Sequence, residues 1–295
     1  MINLYAWFGY VLSRERLFAA IREDGFDGTT LWWSAYGWTG ESARLDYKGQ
    51  AEAARKAGLW VENIHVPFWD INSIWEDTEM GGIVAQNLLE CVDDCAAYEI
   101  PAMVVHASRG DSLPPLSELG IRRFEALVER AERLGVNVAV ENLRKPEPIE
   151  RASFILERFD SPRLGFCFDS GHHNARTVIT PETDMLARFG HRLMALHLHD
   201  NDGTDDQHRP PFDGTTDWPI IMGRIKATGY RGAIHLEVHN DDGYQGIPPE
   251  KFLAMVFERA KRLEALWNDL SQLKGKIQFV EGYDYKALRQ GYSNI

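Results

Sequence analysis

A chain of 295 residues carries 32 Lys and Arg against 44 Asp and Glu, a net charge of −12, with 44% hydrophobic and 26% charged residues. That balance is ordinary for a globular enzyme and argues against a basic face built to hold a nucleic-acid backbone. No apolar run approaches the roughly 20 residues that span a bilayer. The opening MINLYAWFGY has neither a basic n-region nor a small-residue cleavage site, so no signal peptide is expected. Cys91, Cys95 and Cys167 make an odd count with no CxxC pair, which fits a reducing cytoplasm.

In chain order, short β-branched or apolar runs alternate with amphipathic stretches. Strands are expected at 2–8, 28–33, 60–67, 102–108, 137–143, 164–172, 193–200 and 233–240. Between them lie helical patterns such as SRERLFAAIRED, SARLDYKGQAEAARKAG, IVAQNLLECVDDCAAYE and SELGIRRFEALVERAERLG. IERASFILERF, PETDMLARFG and DWPIIMGRIKATG follow, then a last helix over about 249–273. Eight such alternations are what a single-domain (β/α)₈ TIM barrel requires, placed here at residues 1–273. A doubly wound open sheet is the rival, but no GxGxxG follows the first strand. Residues 274–295 read as a C-terminal extension that packs on the barrel or on a partner chain.

In such a barrel, function sits at the C-terminal ends of the strands. The third expected strand ends in His65, the fourth in His106, the fifth in Glu141, and the sixth in Asp169 followed by His172. The seventh ends in His197, with Asp206 and His208 in the loop beyond, and the eighth in Glu237. Carboxylates converging on one barrel mouth repel each other unless a cation joins them. His and carboxylate donors suit zinc, manganese, cobalt or iron. Strand parity puts His199 one layer above His197, as a group behind the ligands or a substrate contact. By the same parity His235 belongs to the packed interior, His239 to the rim and Cys167 to the core.

The segments HVPF, VVHAS, VENL, CFDSGHHN, HLHDNDGTDDQHRPPFDGTTDW and LEVH, in this order at these strand ends, resemble the xylose isomerase-like TIM barrels. That group includes sugar phosphate isomerases and epimerases as well as endonuclease IV. The epimerase branch implies a divalent metal (Mn, Zn, Co or Mg) on Glu141, Asp169, His197 and Glu237. In it, Glu141 and Glu237 double as an acid/base pair acting through a metal-stabilised enediolate. His172 matches a substrate-contacting histidine there, and Glu147 falls where a substrate-binding glutamate is found. The arginine which that branch carries shortly after the histidine has no counterpart in HDNDGTD. Substrate contacts are further expected from His65, His106, His199, Trp7, Trp33 and Phe68, in an early-loop aromatic set that also includes Trp32, Trp38, Trp69 and Trp75.

The endonuclease IV branch implies nine ligands for three zinc ions: His65, His106, Glu141, Asp169, His172, His197, Asp206, His208 and Glu237. The rim loops show no run of Arg or Lys suited to phosphates, so nucleic acid is not the expected partner. The leading expectation is a sugar, sugar-phosphate or polyol isomerase or epimerase with a small carbohydrate substrate and no membrane, and a homodimer is compatible with it. A multinuclear zinc phosphoesterase is the alternative, and a non-catalytic metal- or sugar-binding barrel is a third reading.

Overall fold

The computed structural model describes residues 1–33, 41–175 and 179–269, with the side chains of 41–48 left aside. Trp38 and the expected extension 274–295 lie outside the described residues. The strands are β1 (Ile2–Tyr5), β2 (Gly28–Trp32), β3 (Trp60–His65), β4 (Ala102–Val105), β5 (Asn137–Glu141), β6 (Leu164–Asp169), β7 (Leu193–His197) and β8 (Ile234–Leu236). All neighbours pair in parallel in the order β7-β6-β5-β4-β3-β2-β1-β8. The ring closes between β7 and β8 on a single bridge, Leu198 to Leu236. The architecture is a nearly closed, single-domain (β/α)₈ barrel.

The helices between the strands are α1 (Arg14–Glu23), α2 (Glu41–Lys56), α3 (Glu79–Ala97), α4 (Glu118–Leu134), α5 (Pro146–Arg158), α6 (Ser170–Asn174), α7 (Met185–Phe189), α8 (Trp218–Ala227) and α9 (Pro249–Asn268). Their starts follow local chemistry. Thr78 and Ser117 accept the N–H of Gly81 and Gly120 at 3.1 Å, satisfying donors that the first turn leaves open. α4 ends on Gly135 at φ 73°, a left-handed position that costs a glycine little. The helices bury Phe18, Phe124, Ile155, Ile225 and Phe252 against the outside of the barrel. A fully buried side chain of this kind contributes about 1.5–3 kcal/mol.

Inside the barrel the filling is small: Val104, Ala139, Cys167 and Ala195 form a separate buried cluster. Below it lies a polar floor. A bulge between Thr29 and Thr30 of β2 leaves Glu62 of β3 without an opposite residue. Glu62 accepts from Asn3 Nδ2 at 2.7 Å and meets His235 Nδ1 at 2.5 Å. His235 is therefore interior, as parity required, and fully buried.

Each strand stops short of its expected C-terminal end. Of the residues past the stop, His106 and Glu237 belong to loops and His172 to α6 rather than to the sheet. On β6 the cause is visible: Asp169 Oδ1 accepts the N–H of His172 at 2.6 Å and starts α6 where the sequence pattern continued a strand.

Candidate metal centre and substrate cavity

The strand ends deliver their side chains to one point. Glu141 is 2% exposed and is ringed by four imidazoles. Its Oε2 lies 3.1 Å from His65 Nε2, 3.3 Å from His106 Nε2 and 3.2 Å from His197 Nδ1, and its Oε1 lies 3.0 Å from His172 Nδ1. His197 Nδ1 is also 2.8 Å from Glu237 Oε2. Asp169 Oδ2 meets His199 Nε2 at 3.0 Å, and Asp206 Oδ2 lies 3.1 Å from His172 Nε2 and 3.4 Å from His208 Nε2.

The tautomers follow from the neighbours. A backbone carbonyl only accepts, so the ring nitrogen facing it carries the proton. His65 Nδ1 donates to Val66 O at 2.9 Å, His172 Nδ1 to Asn142 O at 2.9 Å, and His208 Nδ1 to Glu237 O at 3.1 Å. In all three, Nε2 is the nitrogen turned toward the carboxylates and the one that would face a bound cation, as metal-binding histidines are held. Among the described residues, both ring nitrogens of His106 and His197, Nδ1 of His199 and Oδ1 of Asp206 are buried without a well-aligned hydrogen bond, close as the carboxylates stand to some of them. Buried polar atoms are rarely left so, and their convergence fits divalent cations. Among the described residues, five groups of three ligand atoms lie within 4.8 Å of one another. They are His65–His106–Glu141, Glu141–Cys167–His197, His199–His208–Glu237, Glu141–Asp169–His172 and Asp169–His197–Glu237.

The electrostatics are those of carboxylates crowded by imidazoles. Burial alone would raise the Glu141 carboxyl, but His106, His197 and His172 hold it well below the usual carboxylate range. Burial and His197 act on Glu237 in the same opposed way, and again the histidine prevails. Against the effect of burial, Asp206 raises His208 to about 10, while Asp169 and Asp206 raise His172. His106 is lowered, because there burial outweighs Glu141.

Above this cluster opens a cavity of about 710 Å³. His65, His106, Glu141, His172, Asp206, His208 and Glu237 form its floor, and Trp7, Trp32, Phe68 and Trp69 one wall. Phe68 stacks on His106 at 4.5 Å and Trp32 on His65 at 5.1 Å, so the aromatic wall also backs two of the floor histidines. Asp169 and His197 are wholly buried beneath it.

Three residues expected to touch substrate are placed elsewhere. Trp33 is 4% exposed and turned outward into the core, where its Nε1 donates to Asp94 at 3.0 Å. Trp32 takes its place in the wall, because it shares the inward face with Thr30. Glu147, in the first turn of α5, lines a different surface cleft with Glu150 and Arg151. His199 is fully buried behind Asp169, stacked on His208 at 4.1 Å, and sits within a ligand group rather than on the cavity surface. Of the other early-loop tryptophans, Trp75 is core and donates to Ala107 O.

Two features were missed in the linear sequence. Cys167 lies within a ligand group directly under Glu141 and His197. Arg109, Arg144 and Lys145, from the loops after β4 and β5, line the same cavity without forming a run in the sequence.

Residues 18–261 match the family model described as Xylose isomerase-like TIM barrel. The chain belongs to that family. Two curated relatives are similar: the uncharacterized protein y4fM of Sinorhizobium fredii, 34% identical over 161 residues, and the uncharacterized protein MJ1311 of Methanocaldococcus jannaschii, 30% identical over 192. These alignments cover 51% and 60% of this chain, and only 51% and 64% of the relatives' own lengths. Among solved xylose isomerase-like barrels, a D-tagatose 3-epimerase-like protein superposes with a TM-score of 0.70 at 20% identity, over 90% of this chain and 98% of that one. The 3-keto-D-glucoside 4-epimerase of E. coli superposes with a TM-score of 0.63 at 16% identity, over 89% and 100%. At these identities the likeness is one of fold.

Proposed function

We propose that this chain is a divalent-metal-dependent isomerase or epimerase acting on a carbohydrate. The observation that carries the reading is the opposed pair Glu141 and Glu237. They arrive from β5 and from beyond β8, meet at the same His197 Nδ1, and both line the cavity floor. Both are carboxylates at neutral pH and able to accept a proton from carbon. Glu237 is the better placed base, since Glu141 already has imidazoles against both oxygens. Asp169, His197 and the two glutamates would hold one ion, with His65, His106, His172, Asp206 and His208 available for others. When bound, such ions supply positive charge against the oxyanion that develops as the proton leaves. The aromatic wall excludes water and offers flat apolar faces to a sugar ring. The similar barrels include a D-tagatose 3-epimerase-like protein and a 3-keto-D-glucoside 4-epimerase, which supports the substrate class. Three free, buried cysteines agree with a reducing, cytoplasmic setting.

The test is exchange of a substrate carbon proton with deuterated solvent across a panel of ketoses, glycosides and sugar phosphates. Glu141→Gln and Glu237→Gln should each abolish it while the circular dichroism spectrum is kept. Washout that persists in either variant removes that glutamate from the acid/base pair.

One observation favours a second reading, a multinuclear zinc phosphoesterase of the endonuclease IV type. Donor groups around His65–His106 and around Asp206–His208 exceed what a single ion needs. Elemental analysis of protein purified without added metal separates the two. About one ion per chain supports the isomerase; two or three, with zinc dominant, support the phosphoesterase.

A further inference from the structure

The cavity lining holds three cations from two loops: Arg109 after β4, and Arg144 and Lys145 after β5. Arg144 is paired with Asp205 and Lys145 with Asp111, both at the solvent-exposed rim. Arg109 differs from them. Among the described residues its guanidinium makes no ion pair and no hydrogen bond, although carboxylates line the same cavity. The side chain is nonetheless built into place. Asn72, from the 3-10 turn Ile71–Trp75, accepts the Arg109 N–H through Oδ1 and donates to its carbonyl through Nδ2, both at 2.8 Å. The guanidinium then lies over the rings of Trp69 and Phe68, at 5.0 and 5.7 Å from their centroids. The rings hold the cation beside the cavity while its N–H groups stay uncommitted among the described residues, and a guanidinium so held can grip two oxygens of one anion.

We propose that Arg109, with Arg144 and Lys145 beside it, docks an anionic substituent (phosphate or carboxylate) of the carbohydrate that reacts over the cavity floor. This deepens the isomerase reading and rests on it for the carbohydrate. The reacting carbons then lie at Glu141 and Glu237 and the charged end at the β4–β5 rim. Because Phe68 stacks on both Arg109 and His106, one ring joins the docking point to the floor.

Dissociation constants measured by calorimetry on metal-loaded protein decide it, with D-fructose 6-phosphate against D-fructose and D-glucuronate against D-glucose. At least one charged sugar should bind about tenfold or more tighter than its neutral counterpart, the size expected of a charge-assisted contact. The preference should vanish in Arg109→Gln, return in part in Arg109→Lys, and shrink at high salt. A gain confined to the phosphate pair identifies a phosphoryl group, and one confined to the glucuronate pair a carboxylate. No charge preference in the unaltered protein, no binding of either charged sugar, or a preference that survives in Arg109→Gln overturns the proposal. The last outcome would mean that the floor metals hold the anion. These are binding readouts, so a failed proton-exchange test sinks the isomerase reading without deciding this one, and the reverse also holds.

Discussion

Asp200 offers the sharpest test of how the candidate metal centre is kept in shape. Its carboxylate is fully buried and accepts four hydrogen bonds. Oδ1 takes the N–H of Asn201 at 3.0 Å and of Thr216 at 3.1 Å, while Oδ2 takes the N–H of Phe212 at 3.0 Å and the indole N–H of Trp218 at 2.8 Å. Its own backbone pairs both ways with Arg209. The loop that carries Asp206 and His208 is therefore pinned at its far end by one side chain. Asp200→Asn keeps the shape but turns one acceptor into a donor, so two N–H groups face an NH₂. Bonds to a charged acceptor contribute about 1.5–3 kcal/mol each, so losing two predicts about 3–6 kcal/mol of destabilisation. Urea unfolding of chelator-treated protein measures the loss, and metal analysis should show His208 and Asp206 no longer contributing to ion retention. A change under about 1 kcal/mol, within the range of ordinary surface substitutions, with ion content intact would refute the clamp.

Other expectations follow from the same geometry. His208 is raised to about 10 by Asp206, above the ordinary imidazole value, so this pairing stabilises the metal-free fold fully below about pH 6.5 and is lost as pH rises through about 10. Divalent ions need neutral imidazoles, so zinc uptake at pH 7.5 should release protons; calorimetry in two buffers of different ionisation enthalpy that finds none released would contradict this. In Gly171→Ala the new Cβ would fall 1.9 Å from His199 Cε1, forcing the ring off Asp169 at a cost of about 1–3 kcal/mol, read by thermal melting and by metal content. Trp33→Phe removes only the bond to Asp94 and should cost about 1 kcal/mol while leaving carbohydrate affinity unchanged, whereas Trp32→Ala should weaken that affinity.

The eight strands were legible because parallel strands covered on both faces read as apolar, β-branched runs. Their C-terminal limits were not. After β1, β2, β3 and β7 the chain runs on through Ala6, Trp33, Val66 and Leu198, as apolar as the strands themselves, and on β6 the stop shows only through Asp169 capping α6. The His and carboxylate residues of the floor were legible as residue types at strand ends. Trp32 was legible too, through its parity with Thr30, whereas Trp33 falls on the opposite face of β2 and so in the core. Glu147 failed because Pro146 and Pro148 start α5 early and carry it away from the mouth. The cationic wall and the Asp200 clamp depend on loop paths, which the alternation of side chains along a strand does not constrain.

The seam between β7 and β8 gives the barrel its last consequence. Elsewhere in the ring, neighbouring strands share at least three paired residues; here a single bridge and the bonds from Leu198 N to His235 O and from Glu237 N to Leu198 O carry the closure. His197 stands on one side of that gap and Glu237 on the other, and the ligand group they form with Asp169 spans it. An ion seated there would be a buckle on the hoop as well as a reagent. The molecule's roundness and its chemistry would then depend on one fastening, and whatever stripped the metal would loosen the wall that shapes the site.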